Sequence, residues 1–218
     1  MKYKSIILPQ ALFSLFSIFL GGTRIIVVGN LRYVFLNWNL FLAWVPFILS
    51  LAVYFLFRKK KRFKLAIIFG GVFWLLFLPN TAYVLTDMLH LTQKDYVPLW
   101  FDLVLILSYA MNSLFLGVMS LLLIHRLAQK MWGKFTGWLF VNTVVFLSSY
   151  GVYLGRFFRW NSWDLLSNPK NLFESVSFTL LDPLSNFRTL VFTLLFFCLS
   201  MVIYLFFYSI EELKPRED

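Results

Sequence analysis

Tyr153-Leu-Gly-Arg-Phe-Phe-Arg-Trp-Asn-Ser-Trp-Asp164 is the stretch on which the reading of this chain turns. It closes an apolar run that starts near residue 137 and is long enough to cross a bilayer. Two arginines, two tryptophans, an asparagine and an aspartate then arrive together, the mixture that collects where a membrane helix meets water. Working outward, five more runs of the required ~20 mostly apolar residues appear. They lie near 5–23, 34–57, 65–85, 99–124 and 184–208, and the run before Tyr153 completes the set as 137–157. The expectation is an all-α, polytopic membrane protein. Residues 1–210 form one transmembrane helical domain, and 211–218 form a solvated cytoplasmic tail.

Composition excludes the soluble alternative. Of the 218 residues, 60% are hydrophobic and 14% charged, against roughly 25% charged in soluble domains. A net charge of +10 would suggest nucleic acid in a soluble protein. Here the basic residues form short blocks between apolar runs, which argues for no nucleic acid and for loops facing anionic phospholipid headgroups. Alternate loops differ in basic content, with thirteen Lys and Arg on one side and seven on the other. The richer side holds both termini and the Arg58-Lys-Lys-Lys-Arg62 loop, so both termini are expected in the cytoplasm. Lys2 and Lys4 precede an apolar run with no small-x-small site after it, which reads as an uncleaved first span. The single cysteine, Cys198, excludes an intramolecular disulfide or thiolate cluster.

Local signals refine the spans. Gly21-Gly22 allows close helix contact or ends span one, and Arg24 and Arg32 beyond it are expected to snorkel to headgroups. Asn37 and Asn39 open span two as interhelical hydrogen-bonding groups, and Pro46 interrupts its ladder. Leu78-Pro79-Asn80-Thr81 breaks span three, with Asn80 or Thr81 satisfying the freed backbone. Such a break inside a bilayer needs cover from protein or water, which implies a polar cavity there. His125 reads as interfacial and structural. Residues 170–181 carry apolar positions at helical spacing, a short helix lying in the outer interface. Asp182-Pro183 reads as the cap and first residue of span six.

Ionisable groups near spans are costly and point to function. Six gather at the outer end: Asp87, His90, Asp102, Arg156, Arg159 and Asp164, with Asn80, Tyr153, Trp160 and Asn161 beside them. Asp87 and His90, three apart, suit an acid–base pair, two metal ligands, or a carboxylate that merely orients a histidine. Asp102 is a third candidate for the catalytic set. Arg156, Arg159, Trp160 and Trp163 fall on one stripe if the helix continues. The stripe reads either as a phosphate or carboxylate headgroup site or as an interfacial belt. Asn161 alternatively caps a new helix with Asp164 in its first turn.

The blocks Asn39–Pro46, Trp74–Tyr83 with Thr86, Asp87 and His90, and Tyr153–Asp164 resemble the domain of unknown function 1361 family. The resemblance spans about residues 30–190 and implies a bacterial membrane protein, hence the plasma (inner) membrane. It implies no activity, cofactor or catalytic residue. Thr81 stands where the family pattern suggests a small apolar residue. Three functions fit the residues. One is a protein that binds or processes an anionic lipid or lipid-linked substrate, with Arg156 and Arg159 on phosphate and His90 with Asp87 or Asp102 moving a proton. The others are a non-catalytic scaffold or partner subunit and a small transporter. The expected pocket is walled by spans three, four and five and roofed by 158–183.

Overall fold

The computed structural model describes residues 4–58, 64–92, 97–181 and 186–213. Those residues are helical throughout, with no strand among them. The helices are α1 (Lys4–Val28), α2 (Phe35–Arg58), α3 (Lys64–Phe77), α4 (Pro79–Tyr83), a 3₁₀ turn (Val84–His90), α5 (Leu99–Trp132), α6 (Lys134–Phe157), α7 (Asp164–Ser167), α8 (Pro169–Leu181) and α9 (Phe187–Glu212). Six segments are long and apolar enough to span a membrane, with α3, α4 and the 3₁₀ turn making one of them. The chain is a multi-pass membrane protein. Its large exposed side chains, such as Leu15 and Phe19 on α1, Ile68 and Phe69 on α3, and Leu195 and Val202 on α9, are apolar and suit a hydrocarbon solvent.

α5 is the axis. It touches α1, α2, α4, the 3₁₀ turn, α6 and α9. Its 34 residues extend about 51 Å at 1.5 Å per residue, well beyond a hydrocarbon core of ~30 Å. In the extension beyond residue 124, His125, Leu127 and Ala128 are still buried, and residues 130–132 are exposed. His125, expected at an interface, is fully buried: its Nδ1 lies 2.6 Å from Tyr204 Oη, and Trp138 meets its ring edge-on. Gly133, at φ +88°, then turns the chain straight into α6.

Polar side chains inside the bundle are used for helix contacts. Asn112 of α5 accepts from Gln10 Nε2 and donates to Ser14 Oγ at 3.0 Å, and Trp44 Nε1 donates to the same hydroxyl at 3.0 Å. Ser120 accepts from Trp74 Nε1 at 2.6 Å and donates to the carbonyl of Pro46 at 3.0 Å. These bonds satisfy groups that lipid could not.

α1 continues past Gly21-Gly22 to Val28, so span one is longer than its apolar run. A Cβ at Gly21 would stand 3.1 Å from Tyr109 Oη, which identifies a close helix contact rather than a stop. At the other end of the chain, residues 211 and 212 belong to α9 rather than to a loose tail, and Glu211 pairs with Arg126. The Asp182-Pro183 cap and the basic residues 59–62 lie outside the described residues.

The break in span three is narrow. Leu78 keeps helical angles despite the proline after it, because its own N–H still reaches Trp74 O at 2.9 Å. The ladder shifts at Pro79, which has no donor. Asn80 Nδ2 donates to Phe77 O at 3.0 Å, and Thr81 donates to Leu78 O through both its N–H (3.0 Å) and its hydroxyl (2.8 Å). Two glycines let neighbouring helices close on this segment. A Cβ at Gly151 of α6 would stand 2.7 Å from Pro79 Cγ, and one at Gly117 of α5 would collide with the Thr81 side chain. The Pro79 ring cannot rotate away. Gly151→Ala is therefore expected to destabilise the protein by about 1–3 kcal/mol through overpacking. Thermal unfolding in detergent measures this, and an unchanged midpoint would contradict the close fit.

Candidate functional site

α6 ends at Phe157, not in the stripe that the spacing allowed. Phe158 N–H closes on Leu154 O at 3.1 Å, Arg159 turns left-handed at φ +61°, and Trp160 N–H returns to the same carbonyl at 3.3 Å. An arginine in this region costs about 1–2 kcal/mol, so the surroundings impose the turn. It separates Arg156, on the helix, from Arg159, exposed beyond it, and swings Trp160 inward.

Asn161 and Asp164 then close a second turn. Asp164 Oδ2 accepts from the Asn161 backbone N–H at 2.7 Å and from its amide at 3.3 Å. The first residue of α7 thus reaches back to a main-chain N–H ahead of the helix and closes the turn. Ser162 crosses to span three: its hydroxyl donates to Leu76 O at 2.8 Å and accepts from Asn80 Nδ2 at 2.9 Å. Trp163 meets Trp38 of α2 edge-on. Farther along, α8 is held to α6 by the Tyr150–Thr179 hydroxyl pair at 2.5 Å.

Under this roof lies a cavity of about 350 Å³, in the size range of small-molecule sites. Its lining is mixed: Leu42, Leu76, Leu147 and Leu154 are apolar, and Asn39, Asn80, Tyr83, Trp160, Asn161 and Ser162 bring polar groups. Its walls come from α2, the span-three break and α6, so span four does not line it, contrary to the expected arrangement. Of the ten residues singled out in the sequence, Asn80, Trp160 and Asn161 line the cavity.

Arg159 and Asp164 belong to the turn just described, and the other five lie apart from the lining. Asp87 is 1% exposed. It accepts from Asn39 Nδ2 at 2.8 Å and from Arg156 Nη1 at 3.2 Å, and Arg156 also reaches Tyr83 Oη at 3.5 Å. The pair therefore stands behind two lining residues, Asn39 and Tyr83. Tyr153 packs among Phe157, Phe158 and Phe192 and serves the contact between α6 and α9. His90 is exposed; its ring meets Phe35 edge-on and shares no hydrogen bond with Asp87. No group of three His, Cys, Asp or Glu suited to a metal occurs among the described residues.

Asp102 belongs to another cluster. Arg24, expected to snorkel outward, is instead 1% exposed and Asp102 is 4% exposed. Arg24 Nε and Nη2 donate to the two Asp102 oxygens at 2.7 and 3.2 Å, and Nη1 donates to Asn30 Oδ1 at 2.7 Å. The Tyr33 ring lies 4.5 Å below the guanidinium. Burial, and then the adjacent Asp102 carboxylate, pushes the Tyr33 phenol above its ordinary range, which keeps it a neutral hydroxyl. A forked guanidinium on a carboxylate is the geometry that compensates desolvation best.

Sequence reasoning gave no binding role to Asn39 and left Trp38, Tyr83, Tyr150 and Ser162 out of the candidate site. Trp38, Tyr83 and Tyr150 sit in aromatic-rich runs like any other membrane aromatic. Ser162 was visible only as part of the Asn-Ser-Trp-Asp turn.

A family model described as "Protein of unknown function (DUF1361)" matches residues 38–203. No curated protein and no solved structure matches the chain.

Removing one member of a buried ion pair strands the other. Arg24→Met is expected to cost about 3–5 kcal/mol, and Arg24→Met with Asp102→Leu to recover most of it. Chemical or thermal unfolding of the single and double variants checks this; simple additivity of the two losses would contradict the pairing.

Proposed function

We propose, for a chain that belongs to the DUF1361 family of proteins of unknown function, that the cavity under the 160–172 roof seats the headgroup of an anionic lipid or lipid-linked molecule. The observation that carries this reading is the cavity's mixed lining, leucines together with amides, hydroxyls and an indole. A headgroup with part of its glycerol or acyl region has the same mixture. Arg159, exposed at the turn beside Trp160, supplies a cation at the rim for a phosphate. Arg156 is less suited to that task, since Asp87 already neutralises it. A proton carrier for chemistry on the bound group would have to work through Asn39 or Tyr83 from Asp87, because His90 and Asp102 do not line the cavity.

A scaffold role is favoured by a different observation. Both Asp87 and Asp102 are spent on arginines of other helices, which makes them part of the bundle's assembly. The two readings concern different residues and coexist.

Native mass spectrometry of the protein in mild detergent tests the headgroup reading. A retained lipid or lipid carrier is expected in the wild type and is expected to be lost in Leu165→Trp, which fills the cavity from α7 without touching the bundle core. A clean apo mass for the wild type, or a retained lipid indifferent to Leu165→Trp, would overturn it.

The same reading places the protein in a bacterial plasma membrane with both termini in the cytoplasm and the cavity at the outer end. The uneven basic loops and the family resemblance support it. Asn168→Cys in a Cys198→Ser background is expected to react with a membrane-impermeant thiol reagent in intact cells. Labelling only after permeabilisation would reverse the orientation.

A further inference from the structure

We infer that the cavity takes an uncharged, hydroxyl-bearing group, of the glycosyl or glycerol kind, and leaves any phosphate outside. This rests on the preceding reading that a headgroup occupies the cavity, and it names the part of the headgroup that enters.

The hydrogen-bond inventory of the lining carries the inference. Three asparagines line the cavity, and each gives at least one N–H of its amide to an acceptor, Asn80 giving both. Asn39 donates to the Asp87 carboxylate at 2.8 Å, Asn80 to Phe77 O at 3.0 Å and Ser162 Oγ at 2.9 Å, and Asn161 to the Asp164 carboxylate at 3.3 Å. A main-chain carbonyl and an ionised carboxylate can only accept, so the partners fix which way each amide faces. Each asparagine therefore keeps its carbonyl oxygen uncommitted among the described residues. The oxygens of Asn39 and Asn80 are not sealed from solvent, and Asn161 is exposed.

The hydroxyls are mostly spent. Ser162 gives its hydrogen to Leu76 O. Thr179 donates to main-chain carbonyls of its own helix, so in the Tyr150–Thr179 pair the hydrogen comes from Tyr150. Tyr83 accepts from Arg156 and keeps its own hydrogen. Trp160 Nε1 is buried and has no partner among the described residues. A buried indole N–H left unpaired costs about 1–3 kcal/mol, and a ligand oxygen would satisfy it.

The wall thus offers three carbonyl oxygens and four donors, the second N–H of Asn39 and of Asn161, the Tyr83 hydroxyl and the Trp160 indole, with no charged side chain among its described residues. A phosphate, which brings only acceptor oxygens at neutral pH, would face those carbonyls with no cation to offset its desolvation. A hydroxyl both donates and accepts, so a polyol can use the asparagine oxygens, Tyr83 and Trp160 together. The rings of Trp38, Tyr83, Tyr150 and Trp160 add flat apolar faces for the carbon side of such a group.

The test is native mass spectrometry of the detergent-solubilised protein titrated with three lipids of identical acyl chains: monoglucosyl diacylglycerol, phosphatidylglycerol and phosphatidic acid. Monoglucosyl diacylglycerol is expected to bind about tenfold more tightly than phosphatidic acid, with phosphatidylglycerol between them, for a difference of two hydrogen bonds. Trp160→Phe keeps the ring and removes the N–H. It is expected to weaken the glucolipid about fivefold and to leave phosphatidic acid unchanged. Methyl glucoside as competitor separates two supporting cases. Displacement marks recognition of a free polyol; no displacement marks one that must be lipid-borne. Phosphatidic acid binding as tightly as the glucolipid, or Trp160→Phe weakening both lipids alike, would overturn the inference while leaving the headgroup reading standing. Retention of none of the three lipids would overturn both.

Discussion

One missing amide hydrogen, at Pro79, shapes more of this protein than any other single group. A carbonyl released from a helix ladder inside a bilayer has no water to turn to. Here the carbonyls just before the proline are each answered from a side chain: Leu76 by Ser162, Phe77 by Asn80 and Leu78 by Thr81. Two of those donors are local. The third comes from the far side of α6, so the repair of span three also fastens the 158–163 turn onto it. Glycines at 117 and 151 allow α5 and α6 to close on the same short segment. Break, roof and cavity are one construction, since Pro79, Asn80 and Ser162 all line the cavity.

Charge is distributed around this construction rather than in it. Arg24 with Asp102 ties α1 to α5, and Arg156 with Asp87 ties α6 to the 3₁₀ turn. Buried pairs of this kind give little net stability and a great deal of specificity of position, since a misplaced partner leaves a bare ion in a medium that cannot solvate it. The cavity's lining, leucines and polar groups alike, is neutral among the described residues. Asn39 stands at the junction, holding Asp87 with its amide nitrogen and lining the cavity with the rest of its side chain.

What could be read in advance follows from the range of the forces involved. The six spans were legible because apolar length is a local property, and α8 because its apolar positions recur at helical spacing. The break at Pro79 and its repair by Asn80 and Thr81 were legible because proline chemistry acts within one turn. Arg24 was misread as an interfacial cation because the carboxylate that buries it lies 78 residues away. The structural role of His125 was legible, but not its partner: the Tyr204 hydroxyl that accounts for its burial is 79 residues on. The stripe of Arg156, Arg159, Trp160 and Trp163 assumed that helical angles persist. A left-handed arginine ends them, and no spacing rule announces it. Asn80, Trp160 and Asn161 were found as polar residues near a break, whereas Trp38 and Tyr150 look like any other aromatic in an aromatic-rich chain.

The two ion pairs also impose a chronology on biogenesis. Ribosomes deliver about 5–20 residues per second, so the 78 residues from Arg24 to Asp102 take roughly 4–16 s, and Asp87 waits almost as long for Arg156, 69 residues later. During those seconds each early member is a lone charge on a helix already offered to the bilayer. The first and third spans must linger near the headgroups or the insertion machinery until the fourth and fifth emerge. Neither pair can close until its later helix is made, and a nascent chain stalled before Asp102 would carry an arginine that the finished protein keeps buried.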